Sequence, residues 1–415
     1  MGGEGRFKGY EQGQGELLPG FVSDALEPSD PAFFINDVVE ALDLSRFAAR
    51  YSADGEHAYA PQLLLKLWLY GAAQGVYSGR EIERRLRRDL GFRYLAGAGP
   101  HPNFRTINRF RARHREDFVW VLRATVDLAR RAGMAKLGVV TVDGTKLRAN
   151  TSRHKAMSYG RMQKEEARLE AEVQTILRRM EEVNQREDDE HGDEDDGSGG
   201  LPAELQDRTT RLAKIRALRA QLEAERGTKL QESNQKSFAD PEAQMMQTGD
   251  GALTYAYNAQ AAVSEDGLIV ATGLTTAVRD TGQLLPMLDA VEANTTGRPG
   301  TLLADNGYLT EANLAAVRDR GQRVLLGTGR EFRRPKRWPR QPESQRMHRL
   351  LRLPWAKARY ARRKTQGERP FAEVKQAMGF RRFMLRGVAK VRGEWDLVAA
   401  AFNLRRLQAM ELALR

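Results

Sequence analysis

The rhythm of apolar and polar positions changes three times along the chain. From about Asp30 to Leu137 apolar residues recur at helical spacing. Val38, Leu42 and Leu44 suit one short helix, Leu63–Leu69 a second that is apolar on most faces, and Phe104–Arg113 a third. In Phe118–Ala132 the stripe Val119, Leu122, Val126 and Ala129 predicts another. Ser78 stands three residues before Glu81, the spacing of a capping box, at the head of the basic segment Arg80–Asp89. Several short helices with little alternation predict a compact all-helical domain over 30–136. A Gly- and Glu-rich arm without periodicity, 1–29, precedes it.

At Leu137 the pattern becomes that of a sheet. Leu137–Val142 is short, apolar and β-branched, as in a buried strand, and Asp143-Gly144 closes it with turn chemistry. Helical rhythm then returns. Met162, Leu169, Val173, Ile176, Met180 and Val183 follow a coiled-coil stripe, which Leu205, Leu212, Ile215 and Leu222 repeat more weakly. Between the two stripes, eight of the ten residues Glu187–Asp196 are acidic, and Gly197-Ser198-Gly199-Gly200 follows. Like charges at that density repel and stay solvated, so 152–245 reads as an inserted helical hairpin with an acidic loop. Strand signals resume with Tyr255–Val263 and Leu268–Thr276, a hairpin about Ser264–Gly267. Helices Gln283–Ala293 and Glu311–Arg320 alternate with short buried strands Thr301–Ala304 and Arg323–Leu326. This alternation predicts an α/β domain with a mixed sheet over 137–151 and 246–415, split after its first strand.

Charge sharpens the picture. The 415 residues hold 67 Lys and Arg against 55 Asp and Glu, a net +12. Between Arg330 and Glu394 alone there are 21 basic and 5 acidic residues, a local excess of 16 that exceeds the whole-chain value. The charge is concentrated, which points to a polyanionic partner. With no cysteine, disulfides, a thiolate nucleophile and Cys-ligated zinc or iron–sulfur clusters are excluded. No apolar run approaches the ~18 residues a membrane span needs, and the first twenty residues lack a secretory pattern. A soluble, cytoplasmic protein without a membrane partner is expected. The six histidines, at 57, 101, 114, 154, 191 and 348, show no metal-ligand spacing.

Two aspartates follow apolar strand signals: Asp143 in Val139–Thr145 and Asp305 in Leu302–Tyr308. Carboxylates on strand ends have rigid supports at the edge where open sheets bind ligands. Brought together they would repel unless they shared a proton or a cation, and Mg²⁺, a hard ion that accepts carboxylate oxygen and keeps waters for phosphate to replace, suits them. Asp-Gly and Asp-Asn-Gly are equally the residues of ordinary turns. A third acid, Glu368, lies among Arg362, Arg363, Lys364 and Arg369 and shares a helix face with Phe371 and Lys375. It either neutralises a phosphate-binding surface or ligates a metal. Pro370 removes an amide donor and disfavours helical geometry at Arg369, so a helix start or kink is expected there. Glu373 is the alternative acid, without the Glu-x6-Lys spacing.

Asp143, Asp305 and Glu368 in this order, with Tyr360-x2-Arg363-x4-Glu368-x6-Lys375, resemble the DDE transposases of bacterial insertion sequences. Tyr77–Glu83 and Asn103–Phe110 resemble the helical domain of one such group. Asp143–Lys146, Ala149-Asn150, His154–Tyr159, Tyr257–Gln260, Leu303–Tyr308 and Gly379–Phe383 continue the likeness. The resemblance implies an RNase H-like catalytic domain preceded by an all-helical DNA-binding domain, with Asp143, Asp305 and Glu368 as catalytic triad and ligands of two Mg²⁺ ions, or Mn²⁺ in their place. It implies cleavage at the element's ends and strand transfer into target DNA, with double-stranded DNA as partner and a homodimer in the DNA complex. Tyr360, Arg363 and Lys375 would contact phosphates or flipped bases near the scissile bond. Arg381, Arg382, Arg386, Lys390 and Arg392 would extend the backbone-binding surface. Arg333, Arg334, Lys336 and Arg337 with Trp338 form a basic loop that either stacks on a base or caps the domain. End recognition would fall to Arg80, Arg84, Arg85, Arg87 and Arg88 and to Asn103, Arg105, Asn108, Arg109 and Arg113, suited to base edges; a solvated basic face has the same pattern. Two other readings stand beside this one: a non-catalytic DNA-binding protein of transposase ancestry, and a metal-dependent DNA nuclease without strand transfer.

Overall fold

The computed structural model describes residues 20–51, 58–152, 155–191, 203–329 and 341–414, and the side chains among them except those of 183–191 and 412–414. Most of the expected arm, the acidic loop beyond His191 and the basic loop with Trp338 lie outside these residues. Two compact units emerge, Met1–Arg111 with Leu407–Arg415, and Ala112–Arg406.

The first unit is helical: α1 (Pro31–Glu40), α2 (Ser45–Ala48), α3 (Pro61–Ala73), α4 (Gly79–Arg85), α5 (Leu90–Ala96) and most of α6 (Phe104–Arg113). Asp30 caps α1, accepting from the Ala32 amide at 2.8 Å with Pro31 opening the helix, and Asp89 caps α5 through the Phe92 amide at 3.2 Å. Helix α3 is buried from Leu64 to Ala73, as its all-round apolar sequence predicts. Its one buried cation, Lys66, pairs with Glu40 and donates to Asn36 at 2.7 Å. Ser78 is the N-cap residue of α4, but its side chain makes no capping bond. Glu81 turns to Arg84 instead, at 2.6 Å, and the expected capping box is not formed.

The second unit opens with α7 (Phe118–Arg131). Its apolar stripe suggested a place among the N-terminal helices. Instead α7 packs on the sheet unit, where Arg123 Nε donates to Asn294 Oδ1 at 2.6 Å and Asn403 Nδ2 donates to Thr125 Oγ1 at 3.0 Å. An amphipathic stripe records that one face is covered, not what covers it. There follow β1 (Val139–Arg148), β2 (Ala156–Ser158), α8 (Tyr159–His191), α9 (Ala203–Arg226), β3 (Gln235–Ser237), β4 (Gln244–Gln247), β5 (Leu253–Val263) and β6 (Ile269–Thr275). Then come α10 (Leu284–Thr295), β7 (Thr301–Ala304), α11 (Glu311–Asp319), β8 (Val324–Leu326), α12 (Pro342–Leu350), α13 (Pro354–Arg363), α14 (Arg369–Gln376) and α15 (Val388–Leu414).

The main sheet runs β4-β5-β1-β7-β8, with β6 also on β5. Strand β5 is antiparallel to both β1 and β6, whereas β7 and β8 run parallel to β1. Strand β1 is longer than its sequence suggested. It passes through Asp143-Gly144 to Arg148, because β5 pairs with it continuously from Val263 opposite Thr141 to Ala256 opposite Arg148. A turn signal yields when a ladder of backbone hydrogen bonds is on offer. The insertion is built as expected from two long helices, α8 and α9, footed on the small antiparallel pair β2–β3. Met157, Met162, Leu169, Leu212, Ile215 and Leu218 form its core. Glu166 binds Arg216 at 3.0 Å and Arg219 at 2.6 Å beside that core. Behind β5, the rings of Phe371 and Phe380 stack on Trp395, Phe383 meets Phe380 edge-on, and Trp395 Nε1 donates to the Gln260 carbonyl at 2.9 Å.

Candidate active site

Parallel pairing of β1 with β7 ends at Thr141 opposite Leu303. Two residues further on each chain stand Asp143, still in β1, and Asp305, just past the end of β7, an aspartate row at matching offsets from that last pair. Asp305 leaves the strand into a short 3-10 turn, its Oδ1 accepting from the Gly307 amide at 2.7 Å. Asp143 remains within its strand and accepts from the Gly144 amide at 2.8 Å. Burial pushes the Asp143 carboxyl up to about 6; the Gly144 N–H opposes this, Asp305 adds to it, Arg363 opposes it and Glu368 adds to it. Both of the other acids singled out from the sequence, Asp305 and Glu368, therefore act on Asp143.

Glu368 arrives by a less regular route. Between α13 and α14, Lys364–Glu368 forms one π-helical turn, and Pro370 sits in the first turn of α14. Proline has no N–H for the carbonyl four residues back and its ring crowds that oxygen, so the helix widens there, where a start or kink was expected. The turn lies against β1: Thr141 Oγ1 donates to Gln366 Oε1 at 3.0 Å. A β-carbon on Gly367 would lie 2.9 Å from Thr141 Cγ2 and 3.3 Å from Asp143 Oδ2. Glu368 itself has 60% of its side chain exposed and stands 3.9 Å from Arg363. Glu373 faces Arg406, whose guanidinium it favours in the charged form.

Around these acids the other singled-out residues divide. Arg363 is mostly buried, and its Nε has no hydrogen-bond partner among the described residues. Tyr360 is buried, with its ring 5.8 Å below the Arg363 guanidinium. Lys375 bonds to Thr145 on β1, and burial lowers its ammonium from the usual range. Arg381 and Arg382 are exposed. Arg382 and Arg386 bind Asn150 at 3.0 and 2.9 Å, which fixes this basic segment to the end of β1. In the helical unit, Arg105 and Arg109 are exposed one turn apart on α6, and Arg113 continues their face. Asn103 caps α6 through the Thr106 amide at 3.0 Å, and Asn108 packs on Gly79, where a β-carbon would lie 2.5 Å from its oxygen. Arg80 and Arg105 flank the Phe104 ring at 4.8 and 5.8 Å. Of the histidines, His114 and His348 are buried and bonded to Asp117 and Thr328; 57, 154 and the side chain of 191 lie outside the described residues.

Two matches to known families follow this division. Residues 21–113 match the family described as Transposase domain (DUF772), and residues 226–404 match Transposase DDE domain. The chain belongs to the DDE-type transposases. The second match covers Asp305 and Glu368 and begins after Asp143, which the insertion separates from them. No curated protein and no solved structure matches the chain. The transposase thus joins an all-helical domain to a mixed-sheet, RNase H-like domain, and no described helix is long and apolar enough to cross a membrane.

Membership carries action on DNA and use of a divalent cation. Among the described residues no group of three or more His, Asp or Glu is gathered closely enough to hold a metal. Asp143 and Asp305 nevertheless fit a hard cation, because they are adjacent carboxylates whose repulsion such an ion relieves. Sequence reasoning passed over the packing of Gln366 and Gly367 on β1, and a second polar group beside the aspartates formed by Lys146, Asn258, Gln260, Asp280 and Tyr308. Tyr257–Gln260 and Tyr308 lie in segments that resemble the family, but nothing local to Asp280 marks it.

Proposed function

We propose that this transposase binds the ends of its insertion sequence, cleaves them in a Mg²⁺-dependent reaction and transfers the freed strand to target DNA. The observation that carries this reading is the shared row of Asp143 and Asp305, with the turn bearing Glu368 packed against Asp143 through Gly367. Asp143, Asp305 and Glu368 would together hold the ions, Glu368 from its exposed position on the turn. Magnesium bound there supplies Lewis acidity toward the attacking and leaving oxygens. Arg363, held beside Glu368 with Tyr360 behind it, would bind a phosphate, while Lys375, Arg381 and Arg382 would carry the backbone onward. In the first step water attacks phosphorus at the element's end and the bond to the 3′ oxygen breaks, leaving a 3′-OH. That hydroxyl then attacks a target phosphodiester, so one phosphodiester replaces another and no external energy source is needed. Arg105, Arg109 and Arg113 read or grip the ends, and two copies of the chain act in the DNA complex.

The test is cleavage and joining on DNA carrying the gene's own flanking sequences. Asp143→Ala, Asp305→Ala and Glu368→Ala are each expected to abolish Mg²⁺-dependent cleavage and to leave DNA binding intact. A variant that cleaves at the normal rate removes that residue from the triad. Cleavage without joining would support the nuclease reading in place of strand transfer.

A further inference from the structure

Beneath the aspartate row lies a polar cluster to which the reaction above gives no role. Asp280, in the loop after β6, has 18% of its side chain exposed, and Lys146 on β1 has 17%. Lys146 Nζ donates to both oxygens of Asp280 at 3.1 Å. Gln260 Nε2 donates to the same carboxylate at 2.8 Å, and Asn258 donates to it as well. Gln260 also donates to Asn258 Oδ1 at 2.8 Å and accepts from the buried hydroxyl of Tyr308, three residues past Asp305. Asn258, Gln260 and Tyr308 are wholly buried.

The glycines beside the aspartates leave space for this cluster. A β-carbon on Gly144 would lie 3.0 Å from Asp280 Oδ1 and 2.3 Å from Gln260 Nε2. One on Gly307 would lie 3.0 Å from Asp305 Oδ1 and 3.3 Å from Asp280 Oδ2. Asp280 is therefore close to both Asp143 and Asp305, bonded to three donors and matched by one ammonium. Alone, the Asp280 carboxylate would add to the negative potential at the row; alone, the Lys146 ammonium would drain it.

We propose that Lys146 and Asp280 form a fixed counter-charge pair that sets the divalent-cation affinity of the Asp143–Asp305 row. Both are positioning residues: they leave the cation to Asp143 and Asp305 and fix the potential it meets. This inference rests on the reading of the row as a cation site. The experiment titrates Mn²⁺ into the full chain without DNA and follows bound ion by electron paramagnetic resonance, with thermal melting to confirm folding. Lys146→Met should tighten Mn²⁺ binding and Asp280→Asn should weaken it, each by at least about tenfold, a floor for removing a unit charge a few ångströms from a divalent ion at intermediate dielectric. The double variant should return to within about twofold of the parent, because removing both members of the pair leaves the net charge beside the row unchanged. Lys146→Gln serves as a second cation-removing variant should the methionine disturb folding. Shifts of the same sign, or none, in folded variants overturn the counter-charge role. Asp143→Ala separates the two levels. If it abolishes Mn²⁺ binding while the pair variants change nothing, only the pair's role fails; if binding survives it, the cation site itself is elsewhere and the inference falls with it.

Discussion

Asp143 and Asp396 carry the same side chain, and burial lifts both carboxyls to about 6, yet they face opposite situations. Asp143 opens onto the sheet edge beside other acids, where a cation can settle its charge. Asp396 is sealed under the sheet and accepts from Thr272, with Arg392 and Arg123 easing its ionisation from a distance. The folded state therefore holds a proton on Asp396 between its ordinary 3.8 and about 6 that the unfolded chain gives up. Linkage then requires stability to fall as pH rises through that window and to level off above it. Asp396→Asn keeps the acceptor and removes the charge. The variant should melt higher than the parent at pH 8, by an amount on the order of 2–3 kcal/mol in unfolding free energy, and the difference should vanish near pH 4. A parent whose melting temperature is flat from pH 4 to 8 would contradict this.

Elements place Glu368. Its spacing from Lys375 was legible as a helical face, and Pro370 marked a break, but the π-helical turn that results is a compromise between two helices and a strand. Gly367 is the contact point, because only a residue without a side chain allows the turn to lie on Thr141 and Asp143. Gly367→Ala should push the turn away from β1 and carry Glu368 with it. Overpacking of this kind costs about 1–3 kcal/mol, so the variant should stay folded and bind DNA while cleaving the element's ends up to ~100-fold more slowly, the loss a misplacement of about 1 Å can produce. Cleavage at the parent rate would mean the turn's seat is unimportant. Strand β1 shows the reverse influence, with a ladder overriding a local signal. Asp143-Gly144 has turn chemistry, but eight consecutive pairings with β5 keep it extended.

Across the whole molecule, charge is the property that composition alone conveyed. A net +12, with exposed arginines on α6 and along 381–392, makes DNA affinity a matter of counterion release. Replacing Arg105 and Arg109 together by Ala should weaken binding to end and unrelated DNA alike if they grip phosphates. The dependence of log affinity on log salt should then flatten by about one for each phosphate no longer neutralised. Fluorescence anisotropy between about 50 and 200 mM salt, the range over which such ion pairing is most visible, measures this. Weakening confined to the end sequence, with the slope unchanged, would assign the pair to base edges instead.

By itself the sequence determined the main helices and buried strands, that a helical hairpin interrupts the sheet after its first strand, and which acids deserve attention; the short strands β2, β3 and β4 left no signal in it. Each of these follows from the period of apolar residues and from local chemistry within a few positions. Tertiary structure alone decided that α7 covers the sheet, that β1 continues past Asp143, that Gly367 seats the turn of Glu368, and that Lys146 meets Asp280 across 134 residues. Those outcomes depend on which faces find each other and on charges brought close by folding, and neither leaves a periodic trace along the chain.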